Sequence, residues 1–326
     1  MRLLVSGYGK KGEENIMLCD GNGSKIWSDT PEEVSYVISA GDRMFCVSEI
    51  STHSVIYSYV KDGEGYRFVD SVRFDGTNLC HICYSDKNRM VFGACWGSGD
   101  LVYASIDEEG RFISSGSIAQ KNETDDDSLI SRVHFVSVDR KENILMANNV
   151  GLDIIYFYEI RDGGLYECDR IYTERGQHPR HSVMTKDERT LYVITELSNE
   201  ILVYDMDTKT LIQTISTLPH GFEGKSHCSA ICISPDEKTV YGANRYSESI
   251  VFYSVGEDRR LSEAMRVNCS GEKPRHMALC DGGRALVIAY QSSSEICVME
   301  LDALGLPTGK ETRFTMHDAA GVCDAI

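Results

Sequence analysis

A short, mostly apolar run occurs seven times along this chain of 326 residues, and the repeat is the strongest restriction on its fold. The runs are LLVSGY, MFCVSE, VFGACW, ILMANN, LYVITE, VYGANR and LVIAYQ, which begin at Leu3, Met44, Val91, Ile144, Leu191, Val240 and Leu286. Their starts are 41, 47, 53, 47, 49 and 46 residues apart. Seven copies at this period fit the blades of a β-propeller, each built from four short strands.

The strands can be seen inside one copy. RHSVMT is followed by the turn KDER and then by TLYVITE, NEILVYDM and TLIQTIST. Runs rich in Val, Ile, Tyr and Thr between turn residues are typical of strands, and few stretches have a helical period. The sequence therefore predicts an all-β protein, a seven-bladed propeller with four antiparallel strands per blade, as a single domain over residues 1–326.

The two ends of the chain are expected to share one blade. The run at Leu3 has no strand before it, and the segment Gly321–Ile326 has no partner after it. We expect this C-terminal segment to form the innermost strand of the last blade and the N-terminus to supply the other three. Such a closure removes the unpaired edges that an open array would expose.

Charge and cysteine usage limit the partners. The chain has 33 basic and 50 acidic residues, a net charge of −17, which argues against binding nucleic acid or an anionic membrane surface. No apolar stretch approaches the 18 or so residues of a membrane span, and no signal peptide is apparent. The twelve cysteines lie mostly in apolar runs, and the CxxC match at Cys80 and Cys83 has no second pair at zinc spacing. We therefore expect a cytoplasmic protein without metal or cofactor.

Polar residues end most of the repeated runs. The sixth positions are Tyr8, Glu49, Trp96, Asn149, Glu196, Arg245 and Gln291. In a propeller the second strand of a blade returns to the rim where the innermost strand began, and loops at such a rim commonly carry function. Five polar or charged residues among seven predict a channel mouth rather than a core.

A second set of residues lies sixteen positions before these. Arg180 precedes Glu196 and Arg275 precedes Gln291 at this distance. In four copies the residue that directly follows this position is a histidine: His81, His134, His181 and His276. The histidines either repeat one structural role, bonded to nearby backbone, or, for His134 in particular, act on a ligand. Arginines in a partly dry pocket need partners, which are either Glu49 and Glu196 or an anion such as a carboxylate or phosphate.

Several phrases resemble a known family. HPRHSVMTKDERTLYVITELSNEILVY, SAICISPDEKTVYGANRYSESIVFY, KPRHMALCDGGRALVIAYQSS, NLCHICYSDKNRMVFGACWGSGDLVY and HFVSVDRKENILMANNVGLDIIYFY are similar to the seven-bladed propeller lactonases. That family includes one type of 6-phosphogluconolactonase and the fungal 3-carboxy-cis,cis-muconate lactonizing enzyme. The resemblance covers nearly the whole chain and implies both the fold and activity on a lactone.

The resemblance also implies a site. By motif, the catalytic residues of the muconate enzyme correspond to His134 in HFVSVD, Arg180 in PRH, Glu196 in ITEL and Arg245 in ANRY. The chain departs from the family pattern at Leu79, Cys95, Trp96, Arg132, Asn149 and Ala230. We expect the substrate to contact, in addition, Glu49, Trp96, Arg132, Asn149, His181, Arg275 and Gln291.

Three functions are compatible with these residues. In lactone hydrolysis, which we favour, Glu196 or His134 is the general base, the other protonates the leaving alkoxide, and Arg180 or Arg245 faces the oxyanion. Arg132 and Arg275 would hold an anionic tail. The same groups could instead cyclise or isomerise an anionic small molecule, or the propeller could be a non-catalytic binding platform. The protein could act as a monomer or as a dimer.

Overall fold

The computed structural model of the protein describes residues 1–325 and contains seven four-stranded antiparallel sheets arranged as the blades of a propeller. In the first blade the strands are β1 (Arg2–Gly7), β2 (Ile16–Asp20) and β3 (Lys25–Asp29) together with the last strand, β28 (Ala319–Asp324). The second blade contains β4 (Val34–Ala40), β5 (Arg43–Glu49), β6 (Ser54–Asp62) and β7 (Gly65–Phe74). The third contains β8 (Leu79–Ser85), β9 (Met90–Cys95), β10 (Asp100–Ile106) and β11 (Phe112–Ala119).

The other four blades repeat this order. The fourth contains β12 (Val133–Val138), β13 (Ile144–Asn149), β14 (Ile154–Arg161) and β15 (Gly164–Tyr172). The fifth contains β16 (Pro179–Met184), β17 (Thr190–Thr195), β18 (Glu200–Asp205) and β19 (Thr210–Ser216). The sixth contains β20 (His227–Ile233), β21 (Thr239–Arg245), β22 (Ser249–Val255) and β23 (Leu261–Asn268). The seventh contains β24 (Pro274–Cys280), β25 (Ala285–Tyr290), β26 (Glu295–Leu301) and β27 (Pro307–Thr315).

The predicted closure of the ring is confirmed, although the closing strand covers Ala319–Asp324 rather than the predicted Gly321–Ile326, of which Ile326 lies outside the described residues. The first sheet has the order β28-β1-β2-β3, so the C-terminal strand is innermost and the N-terminus supplies the other three. Val5 pairs with Val322 and Leu3 with Asp324 in the antiparallel ladder that joins the two ends. Within the described residues, the one helix is a 3-10 turn, Asp281–Gly283, and no helix is long and apolar enough to span a bilayer.

The repeated apolar runs are the second strands of the blades, and burial explains their composition. Every residue of β9, β17 and β25 is buried. Each of these strands lies between two other strands of its own sheet and between the faces of two neighbouring blades. Phe45 and Val47 of one blade, for example, belong to the same buried cluster as Val91 and Val102 of the next. A strand covered on both faces is expected to be continuously apolar, and burial of its side chains is the main term that holds the blades together.

The pairing of strands corrects one predicted alignment. Val133 pairs with Asn149, as Pro179 pairs with Thr195, so Asn149 is equivalent to Thr195 and not to Glu196. The residue equivalent to Glu196 is Val150, whose backbone N–H donates to the carbonyl of Arg132 as that of Glu196 donates to His178. The fourth repeat therefore begins one residue later than its apolar run suggests.

The same shift changes the position of His134. It is equivalent to Arg180, and Phe135 takes the position of the histidine in the other blades, because Phe135 pairs with Asn148 as His181 pairs with Ile194. The expected set of four equivalent histidines is therefore wrong by one member. Three of them, His81, His181 and His276, share a position, and His134 lies one residue nearer the mouth.

Candidate active site

Two successive residues of each innermost strand form two rings around the channel. The upper ring, nearer the mouth, consists by strand pairing of Ala320, Ser35, Cys80, His134, Arg180, Ser229 and Arg275. The lower ring consists of Gly321, Tyr36, His81, Phe135, His181, Ala230 and His276. The basic residues of the upper ring, His134, Arg180 and Arg275, lie in the fourth, fifth and seventh blades, so the mouth is not electrostatically symmetric.

One carboxylate serves two arginines at this mouth. Arg245 Nη2 donates to Glu196 Oε1 at 2.6 Å and to the carbonyl of Cys228 at 3.0 Å. Arg180 Nε lies 3.8 Å from Glu196 Oε2, an ion-pair distance without a hydrogen bond, and its Nη1 donates to the carbonyl of Ser229. Arg180 is only 2% exposed and Glu196 20%. Two buried guanidinium groups with one carboxylate between them leave a net positive charge.

The pKa values agree with this excess of positive charge. Burial alone would raise the pKa of the Glu196 carboxyl, but Arg180 and Arg245 outweigh it and hold that pKa below its ordinary value. Burial and the neighbouring Arg245 lower the pKa of Arg180, with Glu196 acting in the opposite direction. At neutral pH the carboxylate is therefore ionised, and the site lacks part of the negative charge that would balance it.

A second cluster lies across the mouth. The Tyr8 hydroxyl donates to Glu49 Oε2 at 2.5 Å, and Arg275 Nη2 donates to the same oxygen at 3.0 Å. The Arg275 guanidinium also lies 5.0 Å from the centre of the Tyr8 ring. Burial would lower the pKa of Arg275, but Tyr8 and Glu49 raise it above its ordinary value. Arg275 is therefore firmly paired, in contrast to Arg180.

His134 lies among these charges without a partner for Nδ1. Its ring centre is 5.1 Å from that of His181, and it is 7% exposed. Burial first, and then Arg180, Arg275 and Arg245, hold its pKa well below the ordinary value of 6.5, so it is neutral at physiological pH. A neutral imidazole with an unused nitrogen can accept a proton from water.

Four buried nitrogens around the mouth have no hydrogen-bond partner within the described residues. They are His134 Nδ1, Arg180 Nε, His181 Nε2 and Arg245 Nε. Buried polar groups are nearly always satisfied, so such a concentration marks a place where water or a ligand completes the bonding. Guanidinium donors in particular match the oxygens of a carboxylate, a phosphate or an oxyanion.

The lower ring forms the floor beneath this site. The rings of Tyr36 and His81 are 4.3 Å apart, and those of His81 and Phe135 are 4.5 Å apart. Two of its histidines have the structural role that was considered for them: the Nδ1 atoms of His81 and His276 accept backbone N–H groups of the neighbouring blade, those of Val136 and Val322. Below the ring, a cavity of about 440 Å³ opens toward the opposite face.

The remaining residues that were predicted to contact substrate differ in how far their polar atoms are already bonded within the protein. Arg132 lies over the ring of Trp96 at 4.3 Å, and its Nη1 donates to the carbonyls of Trp96 and Gly97. Asn149 is fully buried, and its amide is bonded to Gln120, Ser131 and the backbone of its own turn. The expectation that Asn149 contacts substrate conflicts with this geometry, because its polar atoms are used inside the protein. Gln291 is half-buried in the turn after β25.

Comparison with known proteins places these residues in a family. The family model described as "Lactonase, 7-bladed beta-propeller" matches residues 4–321. The chain belongs to this lactonase family. Among its relatives, the 6-phosphogluconolactonase of Bacillus subtilis is 27% identical over 319 residues, covering 91% of this chain and 90% of that protein. The 6-phosphogluconolactonase of Photorhabdus laumondii is 24% identical and covers 89% and 86%.

Solved structures show the same fold. The periplasmic gluconolactonase of Pseudomonas aeruginosa superposes with a TM-score of 0.90 at 22% identity, over 99% of this chain and 98% of that one. A Lactobacillus plantarum protein superposes with a TM-score of 0.87 at 21% identity, over 98% of each chain. At these identities the likeness concerns the architecture, so the chemistry of this lactonase must be argued from its own residues.

Some residues at the mouth of this lactonase were not predicted as part of the site. Ser229 accepts a bond from Arg180 through its carbonyl, a backbone role that no side-chain motif could indicate. Tyr8 was seen as a sixth-position residue, but its bond to Glu49 joins the first blade to the second. Tyr246 follows Arg245 in the chain, and His227 pairs with Arg245 across the sheet. The rings of His227 and Tyr246 are 5.2 Å apart. A search of the positions adjacent to each rim residue could have found this pair.

Removing the shared carboxylate should destabilise the protein. We expect Glu196→Gln to lower the free energy of unfolding by about 2 kcal/mol, because two buried arginines lose their counter-charge; the partial exposure of Glu196 keeps the loss below that of a fully buried pair. Chemical denaturation with urea measures it. The double variant Glu196→Gln/Arg180→Met should recover part of the loss, since only Arg245 then remains uncompensated. Equal stability of the single variant and the wild type would contradict this.

Proposed function

We propose that this family member is a metal-independent lactonase that hydrolyses an anionic sugar-acid lactone, similar to 6-phosphogluconolactone, at the mouth of its central channel. The observation that carries the proposal is the pairing of Arg180 and Arg245 with the single carboxylate of Glu196, next to a neutral His134. This arrangement combines unsatisfied cationic donors with a group that can accept a proton. The names of the relatives support a lactone as the substrate class.

The first step is attack of water on the lactone carbonyl. As the water oxygen bonds to the carbonyl carbon, His134 takes one of its protons and becomes an imidazolium. Negative charge moves to the carbonyl oxygen, where the free donors of Arg180 and Arg245 stabilise it. Glu196 fixes both arginines in position and so acts through them.

Collapse of the tetrahedral intermediate completes the reaction. The carbonyl re-forms, the bond between the carbonyl carbon and the ring oxygen breaks, and the leaving alkoxide takes the proton from His134. The product is an open-chain hydroxy acid, which ionises to a carboxylate, and the histidine is again neutral. Water is the only co-reactant, and no redox change takes place.

His134 suits the role of base better than Glu196. The carboxylate is already committed to two guanidinium groups, which lower its pKa and make it a weak base. The pKa of His134 is also low, owing to burial and then to the arginines, but an anionic substrate would offset the positive charge and raise it. Substrate charge and catalysis are thereby linked.

The mechanism uses only side chains of the protein. Among residues 1–325, no three His, Cys, Asp or Glu residues come together in a way that could hold a metal ion. All twelve cysteines are free in the part of the chain that is described, which supports our proposal of a reducing, cytoplasmic location. We expect activity to persist after dialysis against EDTA.

The pH dependence of kcat/KM tests the assignment of His134. Because kcat/KM reports the pKa of the free enzyme and that of His134 is lowered, the base should stay deprotonated as the pH falls through 6.5. We therefore expect kcat/KM for unphosphorylated gluconolactone, which does not itself titrate in this range, to be flat from about pH 8 to about pH 6, with the acid limb below that range. His134→Gln should abolish this limb together with most of the activity.

Three results would contradict the proposal. Loss of half the activity near the ordinary histidine pKa would show that an exposed, unperturbed group is the base. If neither a phosphorylated nor an unphosphorylated sugar lactone is opened, while a hydroxy acid or unsaturated acid is closed to a lactone, the reaction is cyclisation. Absence of both reactions would favour a binding platform.

A further inference from the structure

A cluster of three residues stands at the rim of the mouth beside Arg245. We call Lys225, His227 and Tyr246 the rim cluster. The ammonium of Lys225 lies 4.0 Å from the centre of the Tyr246 ring, and the edge of the His227 ring meets Tyr246 at an interplanar angle of 83°. His227 pairs with Arg245 across the sheet, so the cluster continues directly from the buried arginines to solvent.

The backbone presents Tyr246 outward at this point. Tyr246 has a φ of 69°, a left-handed conformation that bulky residues rarely adopt. Glu248 holds it there: Oε1 accepts the N–H of Tyr246 at 2.9 Å, and Oε2 accepts that of Lys273 at 2.7 Å. The side chain is 42% exposed.

The charge of Lys225 has no counter-ion. Within residues 1–325, no carboxylate lies at ion-pair distance from its ammonium, and the aromatic face of Tyr246 is the contact that orients it. Arg132, another cation at the rim, differs because it already donates to the carbonyls of Trp96 and Gly97. Lys225 therefore keeps its three donors for a ligand, whereas Arg132 is largely used by the protein.

We propose that the rim cluster is a second anion subsite, which binds a phosphate or carboxylate group on the part of the substrate farthest from the lactone carbonyl. The proposal rests on lactone hydrolysis at the mouth: with the carbonyl at Arg180 and Arg245, the distal end of an extended substrate reaches the rim. Lys225 and protonated His227 donate to the anion. Tyr246 supplies the surface against which both are held.

The state of His227 fits this role. Burial, followed by Arg245, lowers its pKa below the ordinary value, and Lys225 contributes in the same direction, while Glu196 opposes them. In the free protein the ring is therefore mostly neutral at physiological pH. A bound anion would raise the pKa of His227, so that the ring takes up a proton when the ligand binds.

Three lactones of one ring size test the subsite: one with a distal phosphate, one with a distal carboxylate and one with a neutral hydroxymethyl group. We expect the wild type to prefer an anionic lactone, and Lys225→Met to lower the ratio of kcat/KM for that lactone to kcat/KM for the neutral one by about tenfold, the loss of one charge-assisted contact. If kcat/KM depends on Lys225 for just one of the two anionic lactones, the anionic group of that lactone is the one that the subsite binds. Lys121→Met, an exposed lysine on the loop after β11 at the same face, should leave the ratio unchanged.

Binding of the open-chain products keeps the subsite testable apart from catalysis. Calorimetry with 6-phosphogluconate and with gluconate should show weaker binding of the phosphorylated acid to Lys225→Met, by a similar factor, even if no lactone is hydrolysed. An equal ratio of kcat/KM in Lys225→Met and the wild type, or equal product binding by the two, would overturn the subsite. Absence of hydrolysis with Lys225-dependent binding would overturn the proposed reaction alone.

Discussion

Arg180→Met should lower kcat/KM for the lactone by about 10²–10³-fold while the protein stays folded. Removal of one donor that stabilises an oxyanion has an effect of this size. The fold should tolerate the change, because methionine is similar in shape, and Glu196 keeps its 2.6 Å bond to Arg245. Since Arg180 is 2% exposed and short of counter-charge, loss of its cation removes an unfavourable burial rather than a good ion pair.

Steady-state kinetics and thermal unfolding together make this test specific. A matched control is Arg170→Met, since Arg170 lies on β15 and is paired to Glu123 and Glu167. We expect the control to retain kcat/KM within about threefold, because it is not at the mouth. If Arg180→Met remained folded and kept wild-type activity, Arg180 could not face the developing charge, and the proposed mechanism would fail.

A chain that ends after Asp318 should lose the cooperative unfolding transition of the full chain. The deletion removes β28, in which Ala319, Ala320 and Val322 are at most 1% exposed. It also exposes the paired edge of β1 and opens the ring between β24 and β4. We expect the free energy of unfolding to fall by about 5 kcal/mol or more, comparable to the whole stability of many domains.

Circular dichroism during heating and gel filtration measure the effect. The control is a chain that ends after Asp324, which keeps the whole ladder between β28 and β1. The control should unfold like the wild type, whereas the shorter chain should form aggregates through its open edge. A sharp transition at the wild-type temperature in the shorter chain would contradict this prediction, because six complete sheets and an incomplete seventh would then be enough for cooperative folding.

The architecture was predictable because its signal is distributed over the whole chain. Each second strand is covered on both faces, so its apolar composition appears in every repeat and sets the period. The closure by the two ends followed from counting strands. The alignment within the fourth blade was not predictable, because ILMANN and LMANNV are similar mostly apolar runs, and only the strand pairing and the backbone bond from Val150 to Arg132 distinguish them.

The site was predictable to the extent that it follows the period. Arg180 and Glu196 are separated by one strand, a turn and a returning strand, so the repeat alone brings them together. Arg275 is paired to a carboxylate more firmly than Arg180 is. This difference depends on contacts between blades, such as that of Tyr8 with Glu49, whose residues are distant in sequence. Tyr246 of the rim cluster lies in a turn, where its left-handed backbone leaves no periodic signal.

The closing ladder also determines where the protein can be joined to other molecules. Because β1 begins and β28 ends at the face opposite the mouth, a fused tag or surface tether at either end leaves the substrate entrance open. The two ends are also adjacent, since the N–H of Ala325 donates to the carbonyl of Arg2 at 3.0 Å. A short linker could therefore connect them, and a circularly permuted enzyme opened at the exposed turn of Gly163, on that same face, would retain every residue of the mouth.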